Sequence, residues 1–133
     1  MFKTKEKIRF HDSDPAGILF YGNIFKLVHS ACEDMISSFS MNLNYYADEK
    51  FVFPLVHAEA DYIKPIRTGD NVEIEIGVYI LGETSFTLEY VITNNADEIL
   101  ANVKTVHVCV SKENFKKSLL PEELRNNLEL HKI

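Results

Sequence analysis

Hydrophobic residues recur at helical spacing between residues 24 and 39. They lie three or four positions apart and leave only a narrow polar strip, which predicts a long helix that is apolar on most sides. Such a helix must be covered by other elements, and the rest of the chain predicts strands but no second long helix. Asn23 directly precedes the apolar run and is predicted to cap the helix. The apolar positions are Ile24, Leu27, Val28, Ala31, Cys32, Met35, Ile36 and Phe39.

The pattern changes to strict alternation in the second half of the chain. Between residues 72 and 80, apolar side chains occupy the even positions, which is typical of a strand with one buried face. Residues 82–84 predict a tight hairpin turn, and the alternation resumes from 86 to 92 on the return strand. Another strand is predicted to begin after Pro54, because proline cannot donate a hydrogen bond to a neighbouring strand.

The two ends of the chain carry weaker signals. Residues 3–10 alternate loosely and predict a first strand whose inward side includes Phe10. Residues 99–110 predict the last long strand, but their apolar positions change phase, so we expect a bulge near Thr105. Residues 120–124 place a proline in the first turn of a short closing helix.

This order of elements defines the expected fold class. One strand, one long buried helix and then consecutive antiparallel strands make an α+β arrangement, in which a sheet wraps around the helix. A length of 133 residues suits one core and is too short for two, so residues 1–133 are expected to form a single domain. The polar side of the strands is expected to face solvent or another subunit.

Composition and charge narrow the function classes. The net charge of −6 at pH 7 argues against unspecific binding to nucleic acid and gives no support for a membrane surface as partner. No apolar segment approaches the length needed to cross a bilayer, and residues 1–7 do not resemble a signal peptide. Cys32 and Cys109 lie in apolar periodic stretches, which predicts buried free thiols. We therefore expect a cytoplasmic protein.

The loop before the long helix holds the candidate chemistry. Asp12 and Asp14 flank a serine and precede a proline, a pattern that by itself is also typical of Asx-turns. Asp14, however, lies close to the first turn of a buried helix, whose free N–H groups attract developing negative charge. An aspartate in water is ionised at neutral pH, so its carboxylate can attack a carbonyl or accept a proton from water. The residues alone do not choose between these two routes.

Several short motifs are spread over nearly the whole chain. They are Phe10-x-Asp12-x-Asp14-x-x-Gly17 with Phe20-Tyr21, Asn23 and Glu33; Pro54-Leu55-Val56-His57-Ala58; Tyr62-x-x-Pro65; Gly69-Asp70; Leu81-Gly82-x-x-Ser85-Phe86; and Leu120-Pro121-x-x-Leu124-Arg125. Together they resemble the 4-hydroxybenzoyl-CoA thioesterase family of hotdog-fold enzymes. Within that family, residues 54–58 look most like the 1,4-dihydroxy-2-naphthoyl-CoA hydrolases. Residues 14–17 with Tyr21 look equally like the 4-hydroxybenzoyl-CoA enzymes.

The resemblance implies a catalytic arrangement and an assembly. Asp14 would be the catalytic carboxylate, and the main-chain N–H of Tyr21, at the start of the helix, would polarise the thioester carbonyl. Hotdog proteins form dimers whose sheets join edge to edge, and tetramers are frequent, so a homo-oligomer is expected. Glu83 departs from the 4-hydroxybenzoyl-CoA enzymes, in which basic residues near this position hold the nucleotide phosphates.

Further residues are candidates for contact with substrate. Gly17, Phe20 and Ser85 belong to the motifs that carry the resemblance, and Lys64 and Arg67 are candidates for the CoA phosphates. Aromatic side chains are candidates for an acyl pocket, although each of them singly is more often plain packing. These aromatic candidates are Phe20, Tyr21, Tyr45 and Tyr46.

Some polar residues are expected to support the site. Asp12 is expected to fix the loop by accepting backbone hydrogen bonds. His29 and Glu33 lie four positions apart on one helical face and are expected to pair, with Glu33 also holding the catalytic loop. For His57, contact with the acyl group and a satisfied position in the sheet are equally favoured. We expect no metal site, since ligands crowded on one loop rarely close a site unaided.

These observations favour an acyl-CoA thioesterase that hydrolyses a CoA thioester of an aromatic acid and needs no cofactor. A thioesterase for aliphatic acyl-CoA or acyl carrier protein is the alternative enzyme. A non-catalytic acyl-CoA-binding protein, in which Asp14 only shapes the loop, is the alternative from another class. A hydratase fits less well, because the chain has no paired Asp/His pattern of that kind.

Overall fold

The computed structural model describes residues 1–133 and has an antiparallel five-stranded sheet at its centre. The strands are β1 (Phe2–Lys7), β2 (Phe51–Val52), β3 (Leu55–Tyr62), β4 (Asn71–Leu81), β5 (Ser85–Thr93), β6 (Ile99–Val108) and β7 (Val110–Ser111), and the helices are α1 (Asn23–Ser38) and α2 (Glu122–Glu129). The strands of the sheet follow the order β1-β4-β5-β6-β3, and a separate ribbon pairs β2 with β7. This is the predicted α+β arrangement, with one long helix against the sheet and a short helix near the end.

Helix α1 is covered as its apolar periodicity predicted. Six of its residues are buried in the main core cluster, which also contains the inward side chains of the sheet. The expected cap is wrong in one detail, because Gly22 occupies the N-cap position and Asn23 is the first helical residue. The Asn23 side chain instead donates a hydrogen bond to the Asp12 carbonyl at 2.9 Å, which ties the preceding loop to the helix. The buried helix residues are Ile24, Val28, Ala31, Cys32, Met35 and Ile36.

The strands confirm the alternation in the middle of the chain and correct it at two points. β4 buries alternate side chains from Val72 to Val78, and the turn between β4 and β5 spans residues 82–84 as predicted. The inward position expected for Ile80 is wrong, because the register shifts between Val78 and Ile80 and leaves Ile80 54% exposed. The bulge expected near Thr105 is wrong. β6 keeps a single phase and turns Val103, Thr105 and His107 inward, while the shift in register lies in the partner strand β3, at Val56. A further shift in register lies at Leu100, near the start of β6, and the next change of phase follows Val108, where β6 ends.

The ends of the chain give one correction and one confirmation. β1 ends at Lys7, and residues 10–12 form a single 3-10 turn, so Phe10 is 87% exposed and the inward position expected for it is wrong. The predicted closing helix is present as α2, which begins directly after Pro121 at its N-cap and buries Leu124 and Leu128. Because Phe10 lies beyond the last paired residue of β1, strand alternation no longer applies to it.

Strand β3 forms one edge of the sheet. It begins after Pro54, as predicted, and pairs only with β6, so its other edge has no partner within the chain. Seven of its eight residues are exposed. Residues that continue from its two ends line the two cavities described below.

Cys32 and Cys109 are free and buried, as expected. Burial raises the pKa of the Cys32 thiol to about 12 and that of Cys109 to about 11. Both thiols are therefore protonated at neutral pH and act as packing groups, not as nucleophiles. No helix is long and apolar enough to cross a membrane.

Candidate active site

The loop between β1 and α1 folds around Asp14. Its carboxylate Oδ1 accepts the N–H of Ala16 at 2.8 Å, which is an Asx-turn. The Asp14 N–H donates to the Ile18 carbonyl at 2.9 Å, and the Gly17 N–H donates to the Asp14 carbonyl at 3.0 Å. Gly17 has φ of 75°, a left-handed conformation that favours glycine. Oδ2 of Asp14 has no hydrogen-bond partner within the chain, so one carboxylate oxygen builds the turn and the other is available.

Asp12 ties the same loop to its surroundings. Its Oδ2 accepts the N–H of Arg9 at 3.0 Å, and its Oδ1 lies 3.6 Å from Nε2 of His11. Its carbonyl accepts the Phe20 N–H and the Asn23 side-chain amide, both at 2.9 Å. The loop is thus anchored on both sides of Asp14, and the Asp12 side chain is occupied in anchoring it.

Helix α1 begins beside this loop with free donors. The N–H groups of Tyr21 and Gly22 donate to no acceptor within the chain, as is usual in the first turn of a helix. The carbonyl of Tyr21 accepts a hydrogen bond from the hydroxyl of Tyr62, at the end of β3. Burial, together with the nearby Tyr21, raises the pKa of Tyr62 above its usual value. Tyr62 is therefore a neutral donor at physiological pH.

Asp14 and Tyr21 line one cavity of about 370 Å³, which we call the Asp14 pocket. Its walls are mostly apolar, and Tyr62 lies on the side of β3. The pocket brings together the predicted catalytic carboxylate and the predicted oxyanion donor, and sequence reasoning gave Tyr62 no role in it. The lining residues are Asp14, Ile18, Leu19, Tyr21, Tyr62, Ile63, Lys64, Pro65 and Ile66.

Of the two basic candidates for CoA phosphates, only Lys64 lines the Asp14 pocket. Its ammonium pairs with Glu98, which holds the pKa of that carboxyl below its usual value. Arg67 is exposed, follows the pocket along the chain, and its guanidinium makes no ion pair. Phe20 packs against Tyr21, with ring centroids 4.8 Å apart, but lies outside the pocket lining.

Two other predicted substrate contacts lie away from the Asp14 pocket. His57 is on the face of the sheet opposite α1, where its Nε2 lies 3.1 Å from Glu59 Oε1. Ser85 begins β5 and pairs with Val108, at the end of the sheet where β3 begins. Within one chain, the structure does not bring either residue together with Asp14.

The expected pair on α1 is absent. His29 and Glu33 are both exposed, and no hydrogen bond or ion pair joins them or links Glu33 to the catalytic loop. The loop N–H groups instead donate to Asp12, to Asp14 and to main-chain carbonyls. No group of three or more His, Cys, Asp and Glu side chains is arranged to hold a metal ion.

A second cavity of about 320 Å³, the aromatic cavity, lies between α1, the connector before β3, and β6. Tyr45 and Tyr46, two of the aromatic candidates, line it together with Phe53, Phe115 and His107. Tyr45 stacks on Phe53 with centroids 4.4 Å apart. The aromatic cavity and the Asp14 pocket share no residue and lie at opposite ends of β3, with Leu55 lining the first and Tyr62 the second.

His107 is the residue of the aromatic cavity that sequence reasoning missed. Its side chain is only 3% exposed, and its Nε2 lies 2.8 Å from the hydroxyl of Thr105, which in turn lies 3.0 Å from the hydroxyl of Tyr90. Burial, with a smaller contribution from His29, lowers its pKa from 6.5 to about 4. The signal was present in the sequence, because unbroken alternation from Val103 turns His107 inward.

Comparison with known proteins gives a consistent result. Residues 8–128 match the model of a family described as the thioesterase-like superfamily. The chain is 30% identical over 131 residues to the 1,4-dihydroxy-2-naphthoyl-CoA hydrolase of Synechococcus elongatus, covering 97% of this chain and 96% of the relative. It is 30% identical over 132 residues to the enzyme of the same name from Nostoc punctiforme, covering 98% and 88%.

Solved structures agree with the sequence relatives. A 1,4-dihydroxy-2-naphthoyl-CoA thioesterase from Synechocystis superimposes with a TM-score of 0.89 at 27% identity, covering 96% of this chain and 94% of that one. A gentisyl-coenzyme A thioesterase superimposes with a TM-score of 0.82 at 25% identity, covering 93% and 99%. These comparisons confirm the predicted hotdog fold. The relatives are named hydrolases and thioesterases, in agreement with the predicted thioester hydrolase.

Proposed function

This chain belongs to the thioesterase-like superfamily, and we propose that it is an acyl-CoA thioesterase that hydrolyses the CoA thioester of an aromatic acid. The observation that carries the proposal is the Asp14 pocket, in which a carboxylate with one unpartnered oxygen shares a cavity with the start of α1. Relatives named for dihydroxynaphthoyl-CoA and gentisyl-CoA support an aromatic acyl group of that type.

The proposed chemistry uses Asp14 in one of two ways. In the first, Oδ2 attacks the thioester carbonyl, the CoA thiolate leaves and takes a proton from solvent, and water then hydrolyses the mixed anhydride. In the second, Asp14 takes a proton from water, which attacks the carbonyl directly. Both routes place negative charge on the carbonyl oxygen, and the free N–H of Tyr21 with the α1 dipole would stabilise it.

We propose further that two copies pair along the free edge of β3. The support is an edge strand whose backbone groups have no partner on one side, with exposed apolar Leu55, Val56 and Tyr62 along it. Antiparallel pairing about a two-fold axis puts the start of one β3 beside the end of the other. The Asp14 pocket of one copy would then face the aromatic cavity of its partner.

The proposal also covers the domain, its assembly, its location and its contacts with the CoA phosphates. Residues 1–133 act as one hotdog domain, dimers associate into tetramers, and the protein works in the cytoplasm, in keeping with its two free buried cysteines. Lys64, at the rim of the Asp14 pocket, and the adjacent Arg67 would meet the CoA phosphates. No structural observation favours aliphatic acyl-CoA or acyl carrier protein as substrate, but both belong in the assay.

The test replaces Asp14 with asparagine and with alanine. Asparagine keeps an oxygen that can accept the Ala16 N–H, so the Asx-turn survives while the carboxylate is lost. We expect both variants to lose about 10²- to 10⁴-fold in kcat/KM while their circular dichroism stays unchanged. The matched control is Asp61→Asn, which removes an exposed carboxylate on the other face of the sheet.

The assay follows thiol release from 4-hydroxybenzoyl-CoA, 1,4-dihydroxy-2-naphthoyl-CoA, hexanoyl-CoA, palmitoyl-CoA and an acyl carrier protein ester. We expect the two aromatic substrates to be hydrolysed fastest. Full activity in both Asp14 variants would refute the catalytic role. Saturable binding of acyl-CoA by the unmodified protein without thiol release would favour the non-catalytic alternative.

A further inference from the structure

The imidazole of His107, which lines the aromatic cavity, is held rigidly and has one ring nitrogen free. The imidazole of His107 stacks on Phe86, with ring centroids 4.8 Å apart and planes 4° from parallel. Its Nε2 is engaged by Thr105, whose hydroxyl is in turn engaged by Tyr90. No hydrogen bond within the chain involves its second ring nitrogen, Nδ1. His107 is therefore fixed in orientation, with one ring nitrogen left for a ligand in the cavity that it lines. The hydroxyl of Tyr45, which lines the same cavity, is buried and also has no partner.

The protonation state of His107 defines what this nitrogen can bind. Burial keeps the ring neutral at physiological pH, and a neutral imidazole carries one donor and one acceptor. Nδ1 is the acceptor if Nε2 donates to Thr105, and it is the donor if Thr105 donates to Nε2. A hydroxyl group both donates and accepts, so it can bond with Nδ1 in either case. A carboxylate, which only accepts, suits one case alone.

The other walls select for a flat ring. Tyr45, Tyr46, Phe53 and Phe115 present aromatic surface, and the volume of about 320 Å³ is in the range of small-molecule sites. The titratable groups near the cavity are His29, which lines it, and Glu33 and Asp34, whose charges act on the lining Tyr46. No carboxylate lines the cavity, so an uncharged aromatic ring meets no unpaired charge there.

We propose that the aromatic cavity binds the ring of a hydroxylated aromatic acyl group and that Nδ1 of His107 hydrogen-bonds the ring hydroxyl. This inference rests on the proposed thioesterase function, with the thioester carbonyl reaching the Asp14 pocket of a second copy. His107 is then a specificity-determining residue that distinguishes hydroxylated rings from unsubstituted ones and takes no part in bond breaking.

The test compares matched pairs of ligands in the full-length protein. Binding of 1-hydroxy-2-naphthoate and 2-naphthoate is measured by calorimetry, and kcat/KM is measured for 4-hydroxybenzoyl-CoA and benzoyl-CoA. We expect the unmodified protein to favour the hydroxylated member of each pair by about five- to tenfold, the typical contribution of one hydrogen bond. His107→Phe keeps an aromatic ring for the stack on Phe86 and should abolish this preference.

The matched control is His131→Phe. His131 also stacks on a phenylalanine, Phe39, and also has a ring nitrogen without a partner, but it lies outside the aromatic cavity. We expect this variant to keep the preference. A second variant, Val52→Trp, adds bulk at a lining position that takes no part in the Tyr90–Thr105–His107 hydrogen-bond chain, and we expect it to weaken binding of both naphthoates.

The outcomes separate this inference from the proposed function. An unchanged preference in His107→Phe, no preference in the unmodified protein, or unchanged binding of both naphthoates in Val52→Trp would each overturn the role of the cavity. If His107→Phe does not fold, the role of the cavity is still tested by naphthoate binding in Val52→Trp and by the preference of the unmodified protein. Failure to hydrolyse any thioester would refute the proposed function, whereas selective binding of 1-hydroxy-2-naphthoate would still support the ligand class.

Discussion

The Asp14 pocket and the aromatic cavity lie at opposite ends of β3 and are built in different ways. The Asp14 pocket is formed by two short segments of the chain, residues 14–21 and 62–66, and is held by main-chain hydrogen bonds. The aromatic cavity is formed by side chains from His29 to Phe115 and has a buried hydrogen-bond chain in its wall. The first arrangement suits a reacting group that must be placed accurately, and the second suits recognition of a shape.

Because the two regions are built differently, the substrate can change through the aromatic cavity while the chemistry of the Asp14 pocket is kept. Backbone donors at the start of a helix cannot be removed by a side-chain substitution, so the Asp14 pocket depends on few residue identities. The aromatic cavity is lined by residues whose side chains can each be replaced on their own. We therefore expect replacement of its polar groups to change selectivity, filling of its volume to exclude the ring, and substitutions around Asp14 to change the rate.

The largest expected effect tests whether the two regions work together across a dimer. Asp14→Asn and Val52→Trp, purified separately, should each be nearly inactive towards 4-hydroxybenzoyl-CoA. After the two are refolded together, half of the dimers are mixed, and each has one site with both regions intact, so activity should return to about a quarter of the unmodified level. No recovery in refolded mixtures of normal size-exclusion profile would place both regions of each site in one chain.

The next largest effect is a pH dependence of stability that arises from His107 in the aromatic cavity. The pKa of His107 falls from 6.5 to about 4 on folding, so the unfolded chain binds more protons than the folded chain between those values. The free energy of unfolding should therefore decrease as the pH falls through this window, by at most about 3.5 kcal/mol at about 1.4 kcal/mol for each pKa unit.

Urea denaturation at pH 7 and pH 4.5 measures this decrease. His107→Phe should show a smaller decrease than the unmodified protein, because it has no group to protonate at this position. The pKa of His131 is also lowered by burial, so a residual decrease should persist in the variant. An identical pH dependence in the two proteins would mean that His107 is not kept neutral by burial.

A smaller effect is expected at the Asp14 pocket. Tyr62→Phe removes the hydroxyl that bonds to the Tyr21 carbonyl and so loosens the peptide at the start of α1. We expect kcat to fall about three- to tenfold with little change in KM, in line with the loss of one hydrogen bond. Tyr79→Phe, on the exposed face of β4, is the control. A change confined to KM would indicate that Tyr62 contacts substrate and does not position the helix start.

The smallest effect concerns the turn itself. Gly17→Ala should destabilise the protein by roughly 1–2 kcal/mol, because alanine at φ of 75° is strained even though its Cβ would meet no atom within 4 Å. Gly17→Asn should lose less, since asparagine tolerates this conformation better. Chemical denaturation gives both values, and equal losses in the two variants would argue against backbone strain as the cause.

Some elements could be predicted because their signal is local. The spacing from Ile24 to Ile36 indicated the buried helix, and the alternation from Val72 to Val78 indicated the central strand, with no knowledge of their neighbours. Phe10 was misplaced because the alternation of β1 stops at Lys7, and no residue marks that stop. His107 was missed because the prediction placed a bulge near Thr105 in β6, which turns His107 outward. The shift in register between β3 and β6 lies in β3 instead.

Helical periodicity, strand alternation and turn geometry depend on residues a few positions apart, so the amino-acid sequence was sufficient to predict most of the secondary structure and the Asp14 loop. Contacts between distant segments were needed to show which side chains line the aromatic cavity, that Tyr62 reaches the start of α1, and that His57 and Ser85 lie away from Asp14. These features depend on strand register and on contacts between distant segments, and the same local pattern is compatible with several such arrangements.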